Sequence, residues 1–226
     1  VLKRAPWYNY RSYIKSVKIN LNDMTDASYM FYGCSKLTQI DLSGMDTSSV
    51  INMGSMFNGC SGLTEINLNG LNTSNVTNMA YMFSGCSGLT EINLSGLNTS
   101  SVRSMFSMFR DCSGLTGINL NGIDTSSVID MSRMFRGCSG LTEIDMSGMD
   151  TSNVTNMDEM FYGCSILSEL NMNGLDAQSV RSMKDIFQGC SYVNKIYTFC
   201  YLWQEVELPI NTGDIWKDSD GQIVTT

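Results

Sequence analysis

The sequence predicts an α/β solenoid with a parallel β-sheet on one face and short α or 3-10 segments on the other. Three observations predict it. Cys34, Cys60, Cys86, Cys112, Cys138, Cys164 and Cys190 recur every 26 residues, and a fixed period of this size marks a repeat architecture. The run L-x-x-I-x-L recurs with that period, as at Leu63, Ile66 and Leu68, at Leu89, Ile92 and Leu94, and at Leu115, Ile118 and Leu120. The run V-x-x-M-x-x-M-F recurs with it, as at Val76, Met79, Met82 and Phe83.

The strand comes first in each copy. Ile66 and Leu68 alternate with Asn67 and Asn69, the period of two expected of a strand with one buried face. A turn follows at Gly44, Gly70, Gly96, Gly122, Gly148 and Gly174, because glycine admits backbone angles other residues avoid. Next is Asp/Asn-Thr-Ser, as at Asp46-Thr47-Ser48. Its short polar side chains bond nearby N–H groups and start helical turns. The Val/Met/Met/Phe spacing of three, three and one then predicts one apolar side of a short α or 3-10 segment. A second glycine closes the turn before each cysteine, except that Asp111 replaces it once. One copy cannot bury these side chains alone, so copies stack, about 4.8 Å apart, and like residues form ladders. The 17 methionines fall mostly in the two Met columns, where flexible thioethers fill irregular gaps.

Three regions follow. Residues 1–33 form an N-terminal cap with Trp7, Tyr8, Tyr10 and Tyr13 and a strand-like Val17–Leu21. Residues 34–189 hold six full repeats, and residues 190–226 a truncated repeat and a C-terminal cap with Tyr192, Tyr197, Tyr201 and Trp203. Solenoid ends expose core and strand edges, and bulky aromatics at both ends read as covers.

Composition narrows the function. The chain has 226 residues and net charge −8, which argues against nucleic acid as a partner. No apolar run reaches 18 residues, so no membrane insertion is expected. Histidine is absent, which removes the commonest general base and metal ligand and the Ser-His and Cys-His nucleophile arrangements. A carboxylate pair such as Glu143 and Asp145 is a conceivable acid and base, but its copies at Glu65 and Glu91 stand beside Asn67 and Asn93. The expectation is no enzyme, no catalytic residue, no cofactor and no metal site. Seven in-register cysteines point in parallel and cannot all pair, so they read as reduced core thiols, with bridges the lesser alternative. Cys200 lies off the comb, and whether it pairs with a ladder cysteine stays open.

The run Phe57-Asn58-Gly59-Cys60-Ser61-Gly62-Leu63-Thr64-Glu65-Ile66-Asn67-Leu68 resembles the leucine-rich repeats of BspA-like bacterial surface proteins. The T-S-x-V-x-x-M-x-x-M-F half resembles the Met-Phe variant of surface proteins of Gram-positive bacteria and mycoplasmas. The resemblance implies a leucine-rich-repeat solenoid, display at the cell surface or secretion, and adhesion to a host or extracellular protein or glycan. It implies no catalytic residues. Leu208-Pro209-Ile210-Asn211-Thr212-Gly213 has one residue too many for a cell-wall sorting signal and reads as a turn. The start of the chain does not read as a signal peptide.

Two surfaces are candidates for binding. The concave strand face carries Glu65, Asn67, Glu91, Asn93, Asn119, Glu143, Asp145, Glu169 and Asn171. Stacked glutamates repel one another, which a cationic partner would relieve; alternatively, amide ladders here serve only the stack. The helical side carries Arg103, Phe106, Arg110, Arg133 and Arg136, a basic and partly aromatic patch or simply variable exposed positions. The other class of function is structural: a spacer that presents a further domain.

Overall fold

The computed structural model describes residues 5–198, apart from the side chains of Leu21 and Thr198. The chain winds as a parallel solenoid, and each coil except the one that starts at Cys60 delivers one short strand to the same face. The strands are β1 (Ser16–Leu21), β2 (Gln39–Met45), β3 (Glu91–Asn93), β4 (Gly117–Asn119), β5 (Glu143–Asp145), β6 (Glu169–Met172) and β7 (Lys195–Thr198). All pairings of these strands are parallel: β1 with β2, β3 with β4, β5 with β6, and β6 with β7. Identical repeat positions face each other, as Glu91 opposite Gly117 and Ile92 opposite Ile118.

The strand face is three small sheets, because most rungs end after three or four residues. The outward Asn or Asp of each rung bends the chain away. Asn67 Oδ1 accepts the N–H of Asn69, Asn93 that of Ser95, Asn119 that of Asn121 and Asp145 that of Ser147, at 2.9–3.0 Å. Side chains that capture a backbone donor two residues on compete with the ladder. These amides therefore bond along their own coil rather than up a ladder of amides. The rung at Glu65–Asn67 forms no strand.

The expected helical face is absent. Among the described residues the only helix is a single 3-10 turn, Tyr8–Tyr10. The residue before the second methionine of each V-x-x-M-x-x-M-F run, or before Ile186 in the last, has positive φ: Ser55 (56°), Tyr81 (58°), Ser107 (54°), Arg133 (58°), Glu159 (53°) and Asp185 (55°). One left-handed residue per turn breaks any helix. Backbone donors then alternate in direction. The N–H groups of Met53, Ser55, Phe57 and Gly59 reach carbonyls of Asn78, Ala80, Met82 and Ser84 in the next coil, at 2.7–2.9 Å. Those of Met56, Asn58 and Cys60 bond three residues back within their own coil. The turn half thus keeps the buried side expected from the spacing while its backbone is tied between coils.

The core is a set of side-chain columns. Phe31, Phe57, Phe83, Phe109, Phe135, Phe161 and Phe187 stack with ring centroids 5.3–5.9 Å apart and planes within 10° of parallel. The seven comb cysteines are buried and free. Six of them donate S–H to the phenylalanine carbonyl of the preceding coil, as Cys60 to Phe31 at 3.1 Å. That carbonyl already accepts the N–H of Cys34, so both its lone pairs are used. Thr47, Thr73, Thr99, Thr125 and Thr151 are buried too. Their hydroxyls bridge neighbouring coils, Thr125 donating to the Asp150 carbonyl at 2.8 Å and Thr99 accepting the Asp124 N–H at 2.9 Å. The Asp/Asn-Thr-Ser runs therefore cap turns and join coils; they start no helix.

At the N-terminal end Trp7 takes the place of a coil. Its ring lies 5.8 Å from Phe31 at an 18° interplanar angle, and its indole N–H donates to the Met30 carbonyl at 2.9 Å. In later coils the matching carbonyl accepts the N–H of the preceding phenylalanine, as Met56 does from Phe31. Cys200, Tyr201 and Trp203 lie outside the described residues.

Candidate functional site

The strand face holds a groove of about 940 Å³, which runs from Thr38–Ile40 across Glu65–Asn67, Glu91–Asn93 and Thr116–Asn119 to Glu143. The strand pleat positions it. In β3, Glu91 and Asn93 point out while Ile92 is buried. Of the residues expected on this face, Glu65, Asn67, Glu91, Asn93, Asn119 and Glu143 line the groove. Asp145, Glu169 and Asn171 lie outside its lining, on β5 and β6.

The carboxylates differ in their partners. Glu169 pairs with Lys195 at 3.3 Å across adjacent rungs, and that bond raises the Lys195 pKa. Asp41 pairs with Lys18 at 3.1 Å and accepts bonds from Ser43, which bring its pKa down to about 2. Glu65, Glu91 and Glu143 have no ion-pair partner among the described residues. The three unpaired glutamates of the face therefore fall together in the groove. Between Glu91 and Glu143 the column holds Gly117, where an added Cβ would meet nothing within 4 Å. That notch widens the groove at its middle.

Sequence reasoning missed the apolar floor. Ile40, Ile66 and Ile118 are half-buried and line the groove. Alternation assigns them inward, and nothing in it signals that a short, bent rung leaves their edges open. No cluster of three or more His, Cys, Asp or Glu suited to a metal occurs among the described residues.

The second predicted patch is only partly assembled. Arg133 lies 5.8 Å over the Phe106 ring, and Tyr81 meets Phe106 edge-on at 4.9 Å. Arg136 stacks 4.0 Å over Tyr162. Both arginines pair with Glu159 of the next coil, Arg133 at 2.8 Å. Arg110 pairs with Asp111 at 3.1 Å. Arg103 sits in a different column, with the exposed Ile51 and Ile129. Glu159, overlooked in the sequence, offsets much of the charge; it follows Arg133 by one repeat in the same column.

The family described as "Mycoplasma protein of unknown function, DUF285" matches residues 8–117 and again 88–199. The chain belongs to that family. No curated protein matches the chain. Among solved structures, a leucine-rich repeat protein from Bacteroides ovatus is similar at 16% identity over 92% of this DUF285 chain and 84% of that chain, with a TM-score of 0.26. Nothing about the site is carried over from it. The DUF285 match spans all the residues that line the groove.

Proposed function

We propose that the chain is a non-enzymatic binding module of a BspA-like, leucine-rich-repeat type, displayed on or secreted from a bacterium. Its concave groove takes a cationic segment of a host or extracellular protein. One observation carries this reading: Glu65, Glu91 and Glu143 are left without cations in a groove, while Asp41, Asp111, Glu159 and Glu169 have theirs. Uncompensated like charges along one face favour a partner of opposite sign. The exposed isoleucine edges give that partner's side-chain stems an apolar floor.

The test is binding of an extended lysine-rich peptide and of purified basic matrix proteins to immobilised wild type and to the E65K/E91K/E143K triple variant. Wild-type binding that weakens with salt and is lost in the variant supports the groove. Equal binding by both chains removes it. A spacer role has its own support in the unbroken Phe, Cys and Thr columns, which make a stiff rod. It is favoured if neither chain binds and a distinct domain adjoins the repeats in the full-length protein.

A further inference from the structure

The described residues contain four Asn-Gly pairs: Asn58-Gly59, Asn69-Gly70, Asn121-Gly122 and Asn173-Gly174. Such a pair is chemically labile, because a glycine amide nitrogen has no side chain to obstruct its approach to the preceding carboxamide. The fold treats the four differently. At Asn58 the following N–H, that of Gly59, donates to Ser84 in the next coil at 2.7 Å, and the Asn58 carbonyl accepts from Gly33 at 2.7 Å. The peptide unit is held from both sides. At Asn69 and Asn121 both members of the pair are exposed, and neither Gly70 nor Gly122 donates a hydrogen bond among the described residues. Gly70 (φ +95°) and Gly122 (φ +82°) have open space where a Cβ would stand. Asn173 is intermediate, its side-chain oxygen buried without a partner.

We propose that Asn69 and Asn121, on the strand face beside the groove, are sites of spontaneous covalent modification through a cyclic imide. The amide nitrogen of Gly70 gives up its proton to hydroxide and attacks Asn69 Cγ. The new Cγ–N bond closes a five-membered ring, and the Cγ–Nδ2 bond breaks as the side-chain nitrogen takes a proton from the water just formed and leaves as ammonia, which restores the hydroxide. Water then opens the ring at either carbonyl. One opening gives aspartate with the original peptide link; the other gives isoaspartate, with the chain routed through Cγ. Gly122 and Asn121 react alike. Each event adds one negative charge. At Asn69 it falls two residues from Asn67, whose side chain holds the local turn at 2.9 Å.

The experiment is timed incubation of the folded chain in mildly alkaline buffer, followed by proteolysis, separation of aspartyl from isoaspartyl peptides, and mass spectrometry. Asn69 and Asn121 are expected to convert at least about tenfold faster than Asn58, whose reaction requires local opening of the coil. In guanidinium the four rates converge. A chain carrying N69S and N121S, the residue already present at Ser43, Ser95 and Ser147, folds normally and lacks the early acidic species. Folded-state conversion of Asn58 as fast as Asn69 and Asn121 would overturn the assignment. So would rates at Asn69 and Asn121 no higher than at the exposed Asn72 and Asn98, which precede threonine.

Discussion

At Ser107 a fully buried side chain occupies a left-handed backbone position, φ 54°, and its hydroxyl has no hydrogen-bond partner. Left-handed angles cost a side-chain-bearing residue about 1–2 kcal/mol, and an unsatisfied buried hydroxyl about 1–3 kcal/mol. Glycine would remove both, against about 0.4–1 kcal/mol of added unfolded-state entropy. Ser107→Gly is therefore expected to stabilise the chain by about 1 kcal/mol, read as a higher urea midpoint with an unchanged slope. This column was not legible in the sequence. Serine, tyrosine, arginine, glutamate and aspartate fill it, and none of them advertises positive φ as glycine does. The close-packed column at Gly62, Gly88, Gly114 and Gly140 was missed for another reason. Its glycines serve contact between coils, since a Cβ on Gly88 would stand 2.5 Å from the Ser61 carbonyl oxygen. Ile166 at the same repeat position hides the pattern.

The strand, the bend and the turn half answer to different rules. Alternation located the strands that form, because burial of one face is a local property with a fixed period, but it also marked Ile66 and Leu68, where no strand forms. The turn half kept the right buried residues on the wrong backbone. Val76, Met79, Met82 and Phe83 are all fully buried, and spacing alone does not distinguish a helix from a turn whose N–H groups go to a neighbour. The threonine column shows what holds the coils at this scale. Thr99→Val keeps shape and burial but leaves the Asp124 N–H without its acceptor. A loss of about 1–2 kcal/mol is expected, with Thr99→Ser recovering most of it, measured by thermal and urea unfolding side by side. Of the candidate site, the acidic outward column was readable from composition and register. The groove was not, because its width depends on where rungs bend and on the open position at Gly117.

Over the whole molecule the cysteine comb couples stability to pH. Burial pushes the Cys34 thiol up to about 11 and Cys112 to about 12, and raises Cys60, Cys86 and Cys138 as well. The folded chain holds these protons more tightly than the unfolded one, whose thiols ionise near 9.0. The resulting stability is complete below pH 9 and drains away as pH rises through 11 and 12. Urea midpoints followed from pH 7 to 11 should fall steeply above 9. A Cys86→Ala/Cys112→Ala chain should start lower and fall less. Maleimide should label none of the comb thiols in the folded state at neutral pH.

Most inter-coil bonds of the turn half run forward, and one per coil runs back, as from the Thr77 N–H to the Ile51 carbonyl. Met53, Ser55, Phe57 and Gly59 hand their protons forward, and the carbonyls of Asn78, Ala80, Met82 and Ser84 face back. These four columns leave acceptors at the tail of the rod and donors at its tip, while the Thr77 column does the reverse. Trp7 blunts the tail by supplying the proton that a missing neighbour would have given. Two such rods meeting tail to tail would set carbonyl against carbonyl, whereas tip to tail they would match. Most columns of the turn half thereby favour lengthening of the array tip to tail, within one chain or between copies.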